Sequence, residues 1–310
     1  MSAITSSERL RRRLSRRGYV IFRTRESYPE ERTLHHHDFY EVNLFWSGSI
    51  QYHIESRSYH LTPGDILLIA PDELHQPDAE IQQGSCERVI LWIDKTYLHQ
   101  FTSLGLDAAA CFDTSKPEHT NCLRFDEEAI YRIAELVELC IRENEAPDFG
   151  SEMMADTAMI QMVILINRLF RSAGQAERRD RSGTLVSGVL DYINEHYAEE
   201  LTLDSLANRF FISKYHLSRE FGRLVGTSVH RYIIQKRLVM AKQLLSEGRP
   251  SSMVYQQCGF GDYSNFYRAF KSEYGISPKE YVTNIREDAA WNQERTRERG
   301  WLIRDHEAES

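Results

Sequence analysis

An internal repeat in the last third of the chain narrows the fold more than any other feature. Displacing the sequence by 49 positions places Arg219 on Arg268, Phe221 on Phe270, Gly226 on Gly275, Ser228 on Ser277 and Tyr232 on Tyr281, with Leu217 falling on Phe266. A match that keeps both spacing and residue type marks a duplicated supersecondary unit. Within the first copy, Leu217, Phe221 and Leu224 recur at helical spacing, while Tyr215, Ser218, Arg219 and Gly222 fall on the opposite face. The stretch Ser213 to Gly226 is therefore a helix with one buried and one free side. Just ahead, Leu203 to Phe210 is a second short amphipathic helix that packs through Leu206, Ala207 and Phe210. Two short helices separated by so tight a turn form a helix-turn-helix. The repeat makes two of them, joined by a helix around Tyr232 to Leu245.

Charge separates this region from the rest. The 310-residue chain has a formal net charge of −8. Between Ser205 and Ser272, eleven lysines and arginines face three acids (Glu220, Glu247, Asp262), a net +8, so the remainder carries −16. A positive field confined to the duplicated unit points to phosphate contact. The 41% apolar content is enough for cores in two domains. Neither a long apolar span nor an export signal is evident. The five cysteines are odd in number and without a Cys-x-x-Cys pair, as expected of reduced thiols in the cytoplasm.

The chain opens with the basic arm 1–18, read as mobile, with Arg11, Arg12, Arg13, Arg16 and Arg17. From Tyr19 the pattern turns to short β-type runs: Tyr19–Phe22, Glu41–Trp46, Ser49–Ile54, Ser58–Leu61, Asp65–Ile69 and Arg88–Ile93. Hairpin turns fall at Ser47-Gly48 and Pro63-Gly64. This predicts a small antiparallel barrel or jelly roll over 19–115. Residues 116–174 contain two helices around Pro147. One carries the stripe Ile130, Ile133, Val137, Ile141, and the other Met159, Met162, Val163, Ile166, Phe170. Their apolar surface exceeds what a small barrel easily covers, which offers Met162 and Ile166 to a homodimer partner. The charged segment 175–183 is the linker. Residues 184–284 hold the duplicated unit, whose first helix carries Leu185, Val186, Val189, Leu190 and Ile193, and 285–310 form a charged tail. The class is α+β multidomain: a β-barrel with a helical dimerisation pair, then an all-α double helix-turn-helix domain.

Four polar residues of the barrel form a constellation. His35 and His37 alternate so as to point to one side, Glu41 follows on the same parity, and His75 joins from another strand. Imidazoles with one carboxylate suit zinc, iron, manganese or nickel, and the same groups hydrogen-bond a sugar-like ligand without metal. A divalent metal is thus an open cofactor for His35, His37, Glu41 and His75. The spacing from His35 through Glu41 to Gly48 resembles the first cupin motif. Gly64 through Pro71 to His75 resembles the second, without that motif's glycine between proline and histidine.

The ordered features Leu201-Thr202-Leu203, Leu206-Ala207, Ser213, Leu217-Ser218-Arg219, Phe221, Gly226 and Tyr232, then Cys258-Gly259-Phe260, Asp262, Phe266, Arg268, Phe270-Lys271, Gly275, Ser277-Pro278 and Tyr281, resemble the DNA-binding domain of AraC-type bacterial transcription regulators. That family often carries a cupin-like effector domain and a helical dimerisation pair. The resemblance implies that the third and sixth helices enter successive major grooves. Carried over by position, the DNA contacts are Tyr215, Ser218 and Arg219, then Tyr263, Ser264, Asn265, Arg268 and Lys271. Arg219 and Arg268 suit bidentate pairing with guanine. The chain departs from the family at Tyr255, where a small alanine is usual, and at Ser251, where an aliphatic residue is usual. A tyrosine there is expected to part the helices or to be absorbed by repacking. The expected function is an effector-responsive regulator, not an enzyme, that activates a catabolic operon in response to a small molecule such as a sugar. Its partners would be promoter DNA, the effector, a second copy and RNA polymerase, with no membrane. The alternative is a metal-dependent cupin enzyme or metal sensor fused to a DNA-binding domain.

Overall fold

The computed structural model describes residues 6–26, 34–77, 86–116, 119–124, 127–145, 148–173 and 185–285. The expected linker 175–183 and the tail from 286 lie outside the described residues. The described chain divides into two compact units near Gly188.

In the first unit, helix α1 (Ser6–Arg17) precedes strands β1 (Tyr19–Glu26), β2 (Tyr40–Ser47), β3 (Ile50–Ile54), β4 (Arg57–Leu61), β5 (Asp65–Ile69), β6 (His75–Pro77) and β7 (Cys86–Ile93). Helix α2 (Lys95–His99), strand β8 (Cys122–Arg124) and helices α3 (Glu127–Glu145) and α4 (Ser151–Ala173) follow. The strands form an antiparallel sheet ordered β1-β7-β2-β5-β8 and a smaller one ordered β4-β3-β6. Residues Tyr40 to Phe45 of β2 are all buried, because the larger sheet is covered on both faces. Val42 and Leu44 of β2, with Ile66, Leu68, Val89 and Leu91, pack on α3 and α4. Phe45, Leu67, Ile69 and Cys86 turn the other way, toward Ile50, Tyr52, Ile54 and Leu61 of the smaller sheet. Strand parity therefore sends Glu41 and Asn43 to the same inner side as Phe45.

Two expectations change here. The basic stretch is not a free arm: it is helix α1, whose Leu14 is buried with Val20 and Phe39, while Arg17 hydrogen-bonds Asn144 and pairs with Asp156 at 3.4 Å. The apolar stripe of α4 is not spare surface either. Met159, Met162, Val163, Ile166 and Phe170 are buried in the core beneath the sheet, so Met162 and Ile166 cannot face a second copy without unfolding this one. Among the described residues Ser151–Ser172 is the one helix long and apolar enough to cross a membrane, and this same burial is that of a core helix.

The second unit is all helical: α5 (Leu185–His196), α6 (Leu203–Arg209), α7 (Lys214–Val225), α8 (Val229–Ser246), α9 (Ser251–Gln257) and α10 (Tyr263–Tyr274), with residues 278–285 also helical. Helix α8 serves both copies. Its Tyr232 packs edge-on against Phe221 and donates to Asn194 at 3.2 Å. Further along, Leu238, Ala241 and Leu245 join Val254, Cys258, Phe260, Phe266 and Phe270 in a second core. Arg237 donates to the carbonyls of Tyr197 and Glu199 at 2.8 and 2.7 Å, which fixes the turn after α5.

Candidate effector site and DNA-reading surface

The structure brings His37, Glu41 and His75 together: one ligand atom from each lies within 4.8 Å of the others, and all three residues are buried. The route differs from strand parity. His35 makes an isolated antiparallel bridge to His75, with paired backbone hydrogen bonds of 3.1 and 2.9 Å. The chain then bends before β2 begins at Tyr40, and within the bend the His37 ring stacks on Phe39 at 4.0 Å. The bend carries His37 Nε2 to 3.2 Å from Glu41 Oε2. His35 borders the cluster, its ring 4.2 Å from that of His75 between centroids.

Each member is oriented by a neighbour. The Nδ1 of His37 meets the Phe39 carbonyl at 2.9 Å, and that of His75 meets the Glu73 carbonyl at 2.8 Å. A carbonyl only accepts, so both Nδ1 atoms carry the proton. Glu41 accepts from Asn43 Nδ2 at 2.7 Å and from Trp92 Nε1 at 2.8 Å. Burial alone would raise the Glu41 pKa, but His37 beside it and the Asn43 donor outweigh it, so the carboxyl sits well below its usual range. Burial, with His35 and His37 adding to it, pushes His75 far down and keeps it neutral. Asn43 and Trp92 were missed by sequence reasoning. A polar Asn two positions beyond Glu41 in a buried run was a signal for the first; Trp92 depends on its pairing opposite Glu41 across β2 and β7.

The eight residues expected to touch DNA are all exposed. Tyr215, Ser218 and Arg219 lie on α7 opposite the buried Leu217 and Phe221. Tyr263, Ser264, Asn265, Arg268 and Lys271 lie on α10 opposite the buried Phe266 and Phe270. Arg219 is held loosely by Glu220 at 3.3 Å and His216 at 3.4 Å. On α10 the hydrogen bonds form a chain: Asp262 caps the helix by accepting from the Asn265 backbone at 2.7 Å, the Asn265 amide also donates to Asp262, and Arg268 donates to Asn265 at 2.6 Å. The intrusive Tyr255 is absorbed at the core margin, its ring edge-on to Tyr263 at 5.8 Å.

The family model described as an AraC-like ligand binding domain matches residues 18–148, and that described as a helix-turn-helix domain matches residues 206–284. The chain belongs to the AraC-type family of transcription regulators. It is an effector-responsive DNA-binding regulator, with the β-rich ligand-binding domain first and the helical DNA-binding domain second. The HTH-type transcriptional activator RhaS of Escherichia coli O1:K1 is 24% identical over 255 residues, covering 82% of this chain and 87% of the relative. RhaS of Salmonella arizonae aligns with the same identity and coverage. Among solved structures, the DNA-binding domain of AdpA in complex with target DNA is 25% identical over 34% of this chain and 96% of that one, at a TM-score of 0.33. ToxT of Vibrio cholerae is 14% identical over 86% of this chain and 98% of its own, at a TM-score of 0.34.

Proposed function

We propose that this regulator activates transcription of a catabolic operon when a small hydroxyl- or carboxylate-bearing effector, such as a sugar, reaches the His35, His37, Glu41 and His75 cluster. The reading is carried by one observation: the two helix-turn-helix copies present Arg219 and Arg268 at the same exposed position of helices of equal length. An arginine so placed takes guanine O6 and N7 in the major groove, with Tyr215, Ser218, Ser264 and Asn265 reading beside it and Tyr263 and Lys271 flanking. Activation is favoured over repression by the relatives named as activators, and brings RNA polymerase in as a partner. The chain works as a homodimer on repeated half-sites, in the cytoplasm where its DNA is, and performs no catalysis. Selection of bound fragments from genomic DNA, followed by a reporter driven by the recovered promoter, tests this. A shared motif with two half-sites and induced expression are expected; binding without preference among sequences overturns the reading.

A further inference from the structure

Charge in the first unit is divided as sharply as in the chain as a whole. Residues 1–18 carry six arginines and one glutamate, net +5, whereas residues 19–174 carry 26 acids against 12 lysines and arginines, net −14. The positive part is built into helix α1. Leu10 and the buried Leu14 turn one side of that helix onto Val20, Phe22, Phe39 and Trp92. By helical period Arg12 and Arg16 then stand one turn apart on the opposite side, with Arg11 and Arg13 flanking them, and all four are exposed. Arg17 belongs to the fold, through Asn144 and Asp156. Among the described residues, none of the four exposed arginines has an ion pair. The helix that carries them is held in place. Gly18 ends it in the left-handed region at φ 82°, donates to the Leu14 carbonyl at 2.8 Å and accepts from the Asp94 amide at 2.8 Å. A helix dipole favours cations in the last turn, which accounts for Arg16 and Arg17 but not for Arg11, Arg12 and Arg13. Like charges three and four residues apart repel, so this row costs the helix stability until an anion lies across it. Phosphate has the chemistry to do so: a guanidinium fork takes two of its oxygens at once, and a duplex offers phosphates in an unbroken row.

We propose that α1 is a further DNA contact of this regulator, with Arg11, Arg12, Arg13 and Arg16 on backbone phosphates that lie outside the stretch read by α7 and α10. Such contacts add affinity and carry no base preference. The rest of the first unit, at net −14, is repelled by the duplex, so α1 decides which side of that unit can approach it. Even weak phosphate contacts count here, because a chain already bound through its second unit presents α1 to the same duplex at a high local concentration.

The test is equilibrium binding of the full-length chain to the selected promoter, over a range of salt, on two fragments. One ends at the half-sites, and the other extends about 20 base pairs, two helical turns, beyond each of them. Wild type should bind the longer fragment more tightly and with a salt slope steeper by roughly 2–4, at about 0.9 for each added phosphate. Replacing Arg11, Arg12, Arg13 and Arg16 together by glutamine should remove that difference, with a loss of roughly tenfold or more on the longer fragment at low salt and none on the shorter. The thermal midpoint should stay at the wild-type value, since none of the four is buried. Replacing the exposed Arg132, Arg142, Arg168 and Arg171 of α3 and α4 by glutamine changes net charge equally and should leave the preference for the longer fragment intact. Equal binding of both fragments by wild type overturns the proposal, as does an equal loss in the two quadruple variants, which would reduce the effect to net charge. A change of oligomeric state in sedimentation with DNA binding unaltered also overturns it, and would give α1 to an acidic face of a second copy.

Discussion

The two helix-turn-helix copies share a backbone and differ in what surrounds it. Helices α6 and α9 are both seven residues long, and α7 and α10 both twelve. The residues that end α6 and α9, Phe210 and Cys258, have the same dihedrals (φ −94°, ψ 9°). Matching hydrogen bonds follow, Ile212 to Ala207 at 3.0 Å and Phe260 to Tyr255 at 2.9 Å. The next position is left-handed in both, Phe211 at φ 56° and Gly259 at φ 78°. Here the copies part. Phe211 is 95% exposed, whereas a Cβ on Gly259 would lie 2.6 Å from the Ala198 carbonyl oxygen. The first copy tolerates a strained, bulky residue because nothing lies above it; the second requires glycine because the turn after α5 does. Capping differs too. α6 has a reciprocal Thr202 and Ser205 capping box, while α9 begins after Pro250 without a side-chain cap. Duplication thus preserves the local geometry, and each copy's neighbours decide which residues that geometry accepts.

The strongest way to break this comparison is Gly259→Ala. Left-handed strain of about 1–2 kcal/mol and overpacking of about 1–3 kcal/mol against backbone should together cost the DNA-binding unit roughly 2–5 kcal/mol in denaturant unfolding of the full chain. A cost below about 1 kcal/mol would show that the Ala198 turn yields freely and that the copies are not differently constrained.

Next come Arg219→Ala and Arg268→Ala, each expected to weaken promoter binding by about 1–3 kcal/mol and to relax preference at one base position, in different half-units of the site. Quantitative binding to a set of single-base variants separates the cases. A loss uniform over all sequences, with a salt slope shallower by about one, assigns the arginine to phosphate instead.

The capping residues sharpen the contrast between the two reading helices. Ser213, which accepts from the His216 backbone at 3.2 Å, and Asp262 should each cost about 0.5–2 kcal/mol of stability when replaced by alanine. Asp262→Ala should also lower DNA affinity, because Asp262 holds Asn265, which holds Arg268. Equal effects of both replacements on affinity would deny that chain of hydrogen bonds a role in binding.

The smallest effect is the mirror of the largest. Phe211→Gly relieves the left-handed strain at an exposed site and should stabilise the unit by up to about 1 kcal/mol, less the added chain entropy of glycine. A clear destabilisation would reveal that the phenyl ring makes a contact its exposure conceals.

Local pattern determined much of this protein. The 3.6-residue period placed Leu217 and Phe221 inward and Arg219 outward, the displacement by 49 announced the second copy, and short β-type runs between turn residues marked the longer strands. Motif spacing also picked out His37, Glu41 and His75 before any geometry was known. What tertiary structure alone decided is what covers each face. The three-residue strands β6 and β8 are too short for periodicity to register, and they exist because neighbouring strands supply their partners. Basic residues in α1 read as a solvated arm because a single buried Leu14 gives no stripe. Met162 and Ile166 belong to an apolar face whose sequence looks the same whether a sheet or a second copy lies on it; here the sheet does. Trp92 reaches Glu41 from a residue 51 positions away through strand register, and the bend at residues 38–39, not strand parity, swings His37 toward the same carboxylate. Sequence specifies the period of burial along each segment, but the partner that completes the burial comes from distant parts of the chain.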